Sequence, residues 1–469
     1  MQGRIGLTEW LGERVGVYGY GRTGRACVDY LLPRLITPVV CVDAASEEEL
    51  AALRLAARDR FEVAVAEEVG AAVERLDSLI LSPGVPLRNR NVQRAVERGV
   101  PVVSELEVAA RGCPGYILAV TGTNGKSTTT KMLGHVLSAL GPAHVLGNIG
   151  EPLLGSLDEI NAGDFVALEV SSFQLEAIER FAPHVAIYTN LTPDHLDRHG
   201  TIEEYARVKR GMTDHMTAGD FVVTNALCPD FAPVRFANQL PTFLQYRSVP
   251  GGRLRGAWVA NGRINVDLGR EQCELPVDCV KLPGVHNVEN ALAVVVTAML
   301  MGATPETIAE RLSSFTGYEH RLERCPQRPA GVSFFNDSKA TNPEATIIAL
   351  RAMQPPLALI LGGRDKLTDL TDLCSCVKRT VQRVVLYGEA RERFSAELVK
   401  AGVDGVELVS DLEQAVAAGF AAMRGTGGTV LLSPACASFD QYRSYEERGE
   451  HFKELVARLD QQVAVAAGG

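Results

Sequence analysis

Short apolar runs recur along this chain, and nearly every one stops at a glycine, serine, asparagine or acidic residue before helical periodicity begins. Arg14–Val17, Pro38–Val42, Ser78–Leu81 and Pro101–Ser104 read as strands, with a helix over Ala26–Leu32. A second set follows: strands over Tyr116–Val120, Phe165–Val170 and His184–Thr189, and helices at Lys131–Leu137 and Ile202–His215. Alternating short segments from Phe221 to Val280 predict an antiparallel excursion, and Asn287–Met301 and Pro305–Ser314 predict two helices. From Tyr318 the alternation restarts, with strands at Gly331–Phe335, Pro356–Leu361, Arg383–Tyr387, Gly405–Val409 and Thr429–Leu432. Helices such as Asn342–Met353 and Leu412–Met423 separate them. This is the pattern of α/β sheets whose crossovers are helical, and 469 residues suit about three such domains. The punctuation Gly112-Cys113-Pro114-Gly115 places one boundary, so residues 1–112, 113–317 and 318–469 are read as separate domains.

Composition narrows the class without naming it. The chain is 46% hydrophobic with a formal net charge of −10, which opposes non-specific nucleic-acid binding. No stretch reaches about 18 uninterrupted apolar residues, so no membrane span is expected. The ten cysteines are scattered without zinc-type spacing, the nearest pair being Cys374 and Cys376. With no signal peptide in Met1–Val15, a reduced, cytoplasmic location is expected.

The strongest chemical signal is Thr121–Thr130, TGTNGKSTTT, between an apolar strand and a helix. Gly122 and Gly125 let the backbone curve around phosphate oxygens. The helix N-terminus adds amides and dipole, Lys126 can reach β- and γ-phosphates, and the Ser127 hydroxyl can ligate Mg²⁺. The strict motif would have glycine where Val120 stands, so this is a shortened phosphate loop. A second Gly-rich turn, Gly19-Tyr20-Gly21-Arg22-Thr23-Gly24, follows the first strand, and Asp43 ends the next one about 20 residues on, as a dinucleotide fingerprint asks. Taken alone, that turn fits an NAD-dependent dehydrogenase or a turn that binds nothing.

Phosphoryl transfer needs charge neutralisation, and Ser127, Glu169 and His195 are candidate metal groups at strand ends. A strand-terminal Glu can equally be a solvated rim residue, and a loop His structural. Lys209, in Tyr205-Ala206-Arg207-Val208-Lys209, reads from spacing as a solvated helix lysine. Further on, Asn336–Asn342, Gly362–Lys366 and Ser433–Ser438 put polar residues at three strand ends, a ligand rim or plain turn chemistry.

Several blocks together resemble the Mur ligases: Gly122–Ser127, Glu169–Gln174, Asn190–Arg198, His286–Asn290, His320-Arg321, Asn336–Asn342 and Ser433–Ser438. They occur in consistent order over essentially the whole chain, and the last two blocks are features of the D-glutamate-adding members. The resemblance implies Rossmann-like first and third domains around a P-loop domain with a parallel sheet and a small antiparallel part. It implies an ATP-dependent amide ligase acting on UDP-N-acetylmuramoyl-L-alanine and D-glutamate; another Mur-type or folylpolyglutamate synthase-like ligase is the alternative.

By similarity, Gly122, Thr123, Asn124, Gly125, Lys126, Ser127, Thr128, Asn287, Asn290 and Arg321 would hold ATP. Ser127, Glu169, His195 and a carbamylated Lys209 would hold Mg²⁺, with Lys126, His195 and Lys209 in the catalytic set. Mg²⁺ prefers anionic oxygen donors, and the CO₂ adduct of a lysine is one. The uridine substrate would meet Gly21, Arg22, Thr23, Asp43, Ser82, Pro83, Gly84, Asn148 in Gly147–Gly150, Ser171 and Gln174. D-Glutamate would meet His320, Arg321, Lys339, Thr341, Lys366, Ser438 and Tyr445. Arg364-Asp365 departs from a loop that is more acidic or glycine-containing in the family, and Tyr445 stands where Phe is common. A monomer is expected, with hinge motion near Gly317.

Overall fold

The computed structural model describes residues 10–34, 38–43, 47–58, 60–249, 253–269, 271–317, 319–365 and 367–468. They build three sheets distributed over two compact units, residues 1–280 with 286–314, and 281–285 with 315–469. Among the described residues no helix is long and apolar enough to cross a membrane.

The first sheet has strands β1 (Val15–Tyr18), β2 (Val39–Val42), β3 (Glu62–Val65), β4 (Ser78–Leu81) and β5 (Val102–Ser104). Their order is β3-β2-β1-β4-β5 and every pairing is parallel. The direction of winding reverses between β1 and β4, which puts a crevice beside the glycine turn after β1.

The second sheet contains β6 (Tyr116–Thr121), β7 (Ala143–Gly147), β8 (Phe165–Glu169), β9 (Val185–Tyr188), β10 (Phe221–Asn225), β11 (Thr242–Arg247), β12 (Gly256–Ala260), β13 (Arg263–Asp267) and β14 (Gln272–Pro276). Its order is β14-β13-β12-β11-β10-β9-β6-β8-β7. The antiparallel excursion expected from Phe221 is confined to β12–β14: β10 and β11 extend the parallel sheet. The connection from Asn225 to Thr242 is long enough for a crossover, as parallel strands require. By contrast Asn261 and Gly262, both at positive φ (52° and 71°), make the two-residue hairpin between β12 and β13.

The second unit's sheet holds β15 (Glu323–Arg324), β16 (Ser333–Asn336), β17 (Leu357–Gly362), β18 (Arg383–Tyr387), β19 (Val406–Leu408) and β20 (Thr429–Leu432). Their order is β15-β16-β20-β17-β18-β19, parallel except for β15. All six residues of β17 are buried, because apolar clusters cover both faces of this sheet.

Within the first unit, one apolar cluster runs from Val17 and Ile80 through Leu106 to Ala119 and Leu168, joining the first two sheets. The helix Glu105–Gly112, capped by the Ser104 hydroxyl, locks that junction with two buried carboxyls. Glu107 Oε2 accepts the amides of Glu179 (2.9 Å), Arg180 (3.0 Å) and Phe181 (2.9 Å), and its Oε1 accepts from Arg111 Nε at 2.7 Å. Among the described residues Glu105 accepts only the Leu154 amide, at 2.8 Å. Burial raises its pKa to about 7.

Candidate active site

β6 ends at Thr121, and the loop Gly122–Gly125 leads into the helix Lys126–Leu137. Gly125 caps this helix in the left-handed region (φ 84°), where glycine alone is unstrained. Gly122 (φ 142°) is hemmed in: a Cβ there would lie 2.0 Å from Thr189 Oγ1. The loop is braced by the segment after β9. Asn190 accepts the Thr123 amide on its carbonyl (2.8 Å) and the Asn124 amide on Oδ1 (2.9 Å), and it donates from Nδ2 to the Asn124 carbonyl (3.0 Å). Thr189 Oγ1 donates to the same carbonyl at 2.7 Å. Lys126 Nζ folds over its own loop, donating to Gly122 O (3.1 Å) and Thr123 O (2.7 Å). Ser127 stands half-buried in the first helical turn and Thr128 is buried behind it. Asn287 and Asn290 are buried and hydrogen-bonded at 3.2 Å, with Asn290 packed against Gly125.

Lys209 is not a solvated helix lysine. It is 1% exposed, on the inner face of the helix Ile202–Arg210. Its Nζ donates to Gly122 O at 2.8 Å, the carbonyl that Lys126 also holds, and lies 4.6 Å from the centre of the Tyr205 ring. Burial first, and the neighbouring Lys126 charge second, push the Lys209 pKa well below the usual lysine range, against the pull of Asp194 and Glu169. Glu169 ends β8 and is buried. Its Oε1 accepts from Asn148 Nδ2 at 2.8 Å, while Oε2 is buried with no hydrogen-bond partner among the described residues.

His195 is the exposed member of this set. It sits at positive φ (52°) ahead of the short helix Leu196–His199, its ring 4.7 Å from that of Phe173 and its Nε2 3.5 Å from Asp194. Ser171 and Gln174 satisfy each other in a capping box. Arg22 Nη2 reaches Asn148 O at 3.4 Å; Arg22 and Thr23 are the first two residues of the helix after the turn, and Gly21 is its N-cap. Ser82 Oγ donates to Gly19 O at 3.1 Å, bringing the turn at Ser82, Pro83 and Gly84 beside the Gly19–Gly24 turn. Asp43 lies at the same crevice, but its carboxylate is already engaged. Tyr18 OH and Asn91 Nδ2 donate to Oδ1, and Asn89 Nδ2 donates to Oδ2 at 2.7 Å.

In the second unit Thr341, Ser438 and Tyr445 line one cavity of about 420 Å³ with Arg364, Asp365 and Phe439. Lys366 lies outside the described residues. Lys339 Nζ is 5.7 Å from the Tyr445 ring centre. His320 is buried at positive φ (62°), with Asn336 Nδ2 3.0 Å from its Nδ1. Burial lowers its pKa. Arg321 faces Asp337, whose pKa burial raises to about 7 despite the Ser433 hydroxyl at 2.7 Å and the Arg321 charge. Glu319, His320 and Glu450 cluster closely, but the ammonium of Lys453 lies 2.8 Å from Glu450 and 3.2 Å from Glu319.

Sequence reasoning missed Arg448, which is fully buried and ties two loops of this rim together. It donates from Nε to Ser338 Oγ (2.8 Å), from Nη2 to Ser338 O (2.7 Å) and from Nη1 to Cys436 O (3.2 Å). Tyr18, Asn89 and Asn91 were missed as well. Only the cap position of Asn89, just ahead of a helix, was a local signal.

Strand-end phosphate loop, buried lysine and three sheets now stand together, and the comparisons bear on the same class. The first part of the chain, residues 13–104, matches the family model described as Mur ligase MurD-like, N-terminal domain. Residues 120–298 match the Mur ligase middle domain, and residues 320–436 the Mur ligase, glutamate ligase domain. The chain belongs to the Mur ligase family. Among its relatives is the UDP-N-acetylmuramoylalanine–D-glutamate ligase of Koribacter versatilis, 39% identical over 96% of this chain and 98% of that protein. The enzyme of that name from Pelotomaculum thermopropionicum is 38% identical over 97% and 99%. Solved structures share the fold. The UDP-N-acetylmuramate-alanine ligase of Thermotoga maritima gives a TM-score of 0.55 at 19% identity, covering 95% of this chain and 99% of that one. The MurF ligase of Thermotoga maritima, solved in complex with ADP, gives 0.54 at 17% identity over 96% and 95%.

Proposed function

We propose that this protein is the cytoplasmic ligase that joins D-glutamate to UDP-N-acetylmuramoyl-L-alanine at the expense of ATP in peptidoglycan precursor synthesis, acting as a monomer. The observation that carries this reading is the end-to-end similarity to ligases of that name. A lysine-bearing phosphate loop on the central sheet supports it.

The L-alanyl carboxylate attacks the γ-phosphate in line, giving an acyl phosphate and ADP. The D-glutamate amine attacks the acyl carbon, and the tetrahedral intermediate collapses to amide, expelling phosphate and a proton. Lys126 follows the transferring group and offsets its charge, the kind of electrostatic help that dominates such steps. Asn287 and Asn290 take the adenine side, and Arg321 the ATP and D-glutamate ends.

The donor set fits Mg²⁺, because Glu169 Oε2 is buried with no hydrogen-bond partner among the described residues. Ser127 and Glu169 would hold one ion, and His195 with Lys209 as its carbamate a second; bound Mg²⁺ would neutralise phosphate charge. The carbamate reading rests on Lys209 itself. A buried lysine beside Lys126 is driven toward the neutral amine, the form that adds CO₂ with loss of a proton. The amino-acid cavity supports D-glutamate through the exposed Arg364 and the hydroxyls of Thr341, Ser438 and Tyr445. His320, Lys339 and Lys366 complete the proposed pocket, and Gly21, Arg22, Thr23, Ser82, Pro83, Gly84 and Asn148, with Ser171 and Gln174, the uridine substrate's. Asp43, exposed at the same crevice, belongs to that uridine-substrate set.

The test supplies ATP, Mg²⁺ and UDP-N-acetylmuramoyl-L-alanine and compares phosphate release with D-glutamate, L-glutamate, L-alanine and meso-diaminopimelate. D-Glutamate alone is expected to support turnover; equal or better rates with another amino acid overturn the assignment. Lys209→Ala is expected to lose activity and to regain part of it with short carboxylic acids. Full activity without them would remove the carbamate.

A further inference from the structure

The turn after β4 and the loop after β9 belong to different sheets of the first unit, yet two arginines cross between them. Arg198, three residues beyond His195, grips Glu176 with a forked pair of bonds, Nε to Oε1 at 2.9 Å and Nη2 to Oε2 at 2.7 Å. The same guanidinium donates to Pro83 O at 2.8 Å and to Val85 O at 3.4 Å, and lies 4.0 Å from the Phe173 ring centre. In the opposite direction, Arg88 Nη1 donates to Arg198 O at 3.2 Å. Arg198 and Glu176 side chains are only 10% and 12% exposed. Glu176 is itself steadied by His199 Nδ1 at 3.5 Å, whose Nε2 lies 3.0 Å from Ser172 Oγ.

A cavity of about 370 Å³ lies beside this contact, lined in part by Arg88, Glu176 and Arg198, and Val85 and Leu87 pack against the apolar cluster that includes Ala177, so the polar bonds add direction to a partly packed junction. The arrangement needs a guanidinium: its planar fork serves one carboxylate and two carbonyls at once, which a lysine ammonium on a flexible stem cannot reproduce.

We infer that Arg198 is a positioning residue, setting the separation between the Ser82–Gly84 turn and the loop that carries His195. The inference rests on the proposed function, in which the first segment meets the uridine substrate and the second carries His195. A misplacement of about 1 Å at such a point can cost about 10²-fold in rate. D-Glutamate is held by neither of the segments that Arg198 joins.

Steady-state kinetics on Arg198→Lys test it. Its kcat/KM for UDP-N-acetylmuramoyl-L-alanine is expected to fall about 10- to 100-fold, with KM for D-glutamate within about twofold of wild type. Wild-type kcat/KM in the folded variant, or equal rises in both KM values, would overturn the positioning role. The exposed Arg88→Gln keeps the test alive if Arg198→Lys is poorly folded: a smaller shift that spares D-glutamate is expected, and an equal effect on D-glutamate would sink the idea. Amide exchange separates this inference from the functional reading. Faster exchange at Val85, whose amide is held by the Ser82 carbonyl, is expected in Arg198→Lys whatever the substrate, and unchanged protection overturns the clasp. Absence of wild-type turnover removes the substrate assignment alone.

Discussion

The turns at Gly19–Gly24 and Gly122–Gly125 each follow a buried central strand and each opens a helix. In the first, the crowded glycine is Gly24, where a Cβ would lie 2.0 Å from Gly19 O; the requirement is for the helix to lie close on its own strand. In the second it is Gly122, blocked by Thr189 from a neighbouring strand's loop. The surroundings differ too. Beside the first turn, Asp43, the acid at the end of β2, accepts from Tyr18, Asn89 and Asn91. Beside the second, two lysines share the Gly122 carbonyl. A shared backbone plan thus leaves the ligand open, and the side chains arriving from adjacent strand ends decide it.

Breaking the second turn's chemistry should have the largest effect. Lys126→Ala is expected to lower ATP-dependent turnover by about 10²–10³-fold while calorimetric binding of the uridine substrate persists; loss of less than tenfold would show that the loop does not carry the transferring phosphate. Gly122→Ala and Gly24→Ala separate the two turns. Each is expected to cost more than about 2 kcal/mol in denaturant unfolding, the former abolishing nucleotide binding and the latter weakening uridine-substrate binding. If both variants lose the same ligand, the division of labour fails.

The helix between the two sheets gives a smaller, pH-dependent test. Glu105 has its folded pKa raised to about 7 from 4.5, so its contribution to stability is fully present below about 4.5 and is lost as pH rises to about 7. The slope should be about 1 kcal/mol per pH unit across that window, and Glu105→Gln should flatten it in urea melts taken at pH 5 and pH 7.5. An unchanged slope would mean that the carboxyl is not the titrating group. Smallest is Asn89→Ala, where loss of the cap to Asn91 and Val92 should cost about 1 kcal/mol, measured as a shift in unfolding midpoint, and release one partner of Asp43.

Much of this architecture was legible because strands buried on both faces read as unbroken apolar runs, as β17 and β9 do. The phosphate loop was legible because glycine, lysine and serine must occur in fixed order at a strand-to-helix turn. The course of β10 and β11 was not, since alternation along a strand says nothing about the direction of its neighbour. Lys209 could not be judged from helical spacing, because its burial depends on Thr121 and Gly122, nearly ninety residues away by sequence (|i−j| 88 and 87). Arg448 was invisible for the same reason: it answers carbonyls at Ser338 and Cys436, which only the folded sheet brings to it.

The Glu107 carboxylate, which gathers three successive amides at 179–181, also sets a rule for recombination. Exchanging the first sheet between family members at the glycines near residue 112 would carry the acid away from the bend that it holds. A chimera is expected to be tolerated only when donor and recipient share both halves of that match, so inheritance should keep the acid and the bend together although seventy residues lie between them (|i−j| 72 to 74).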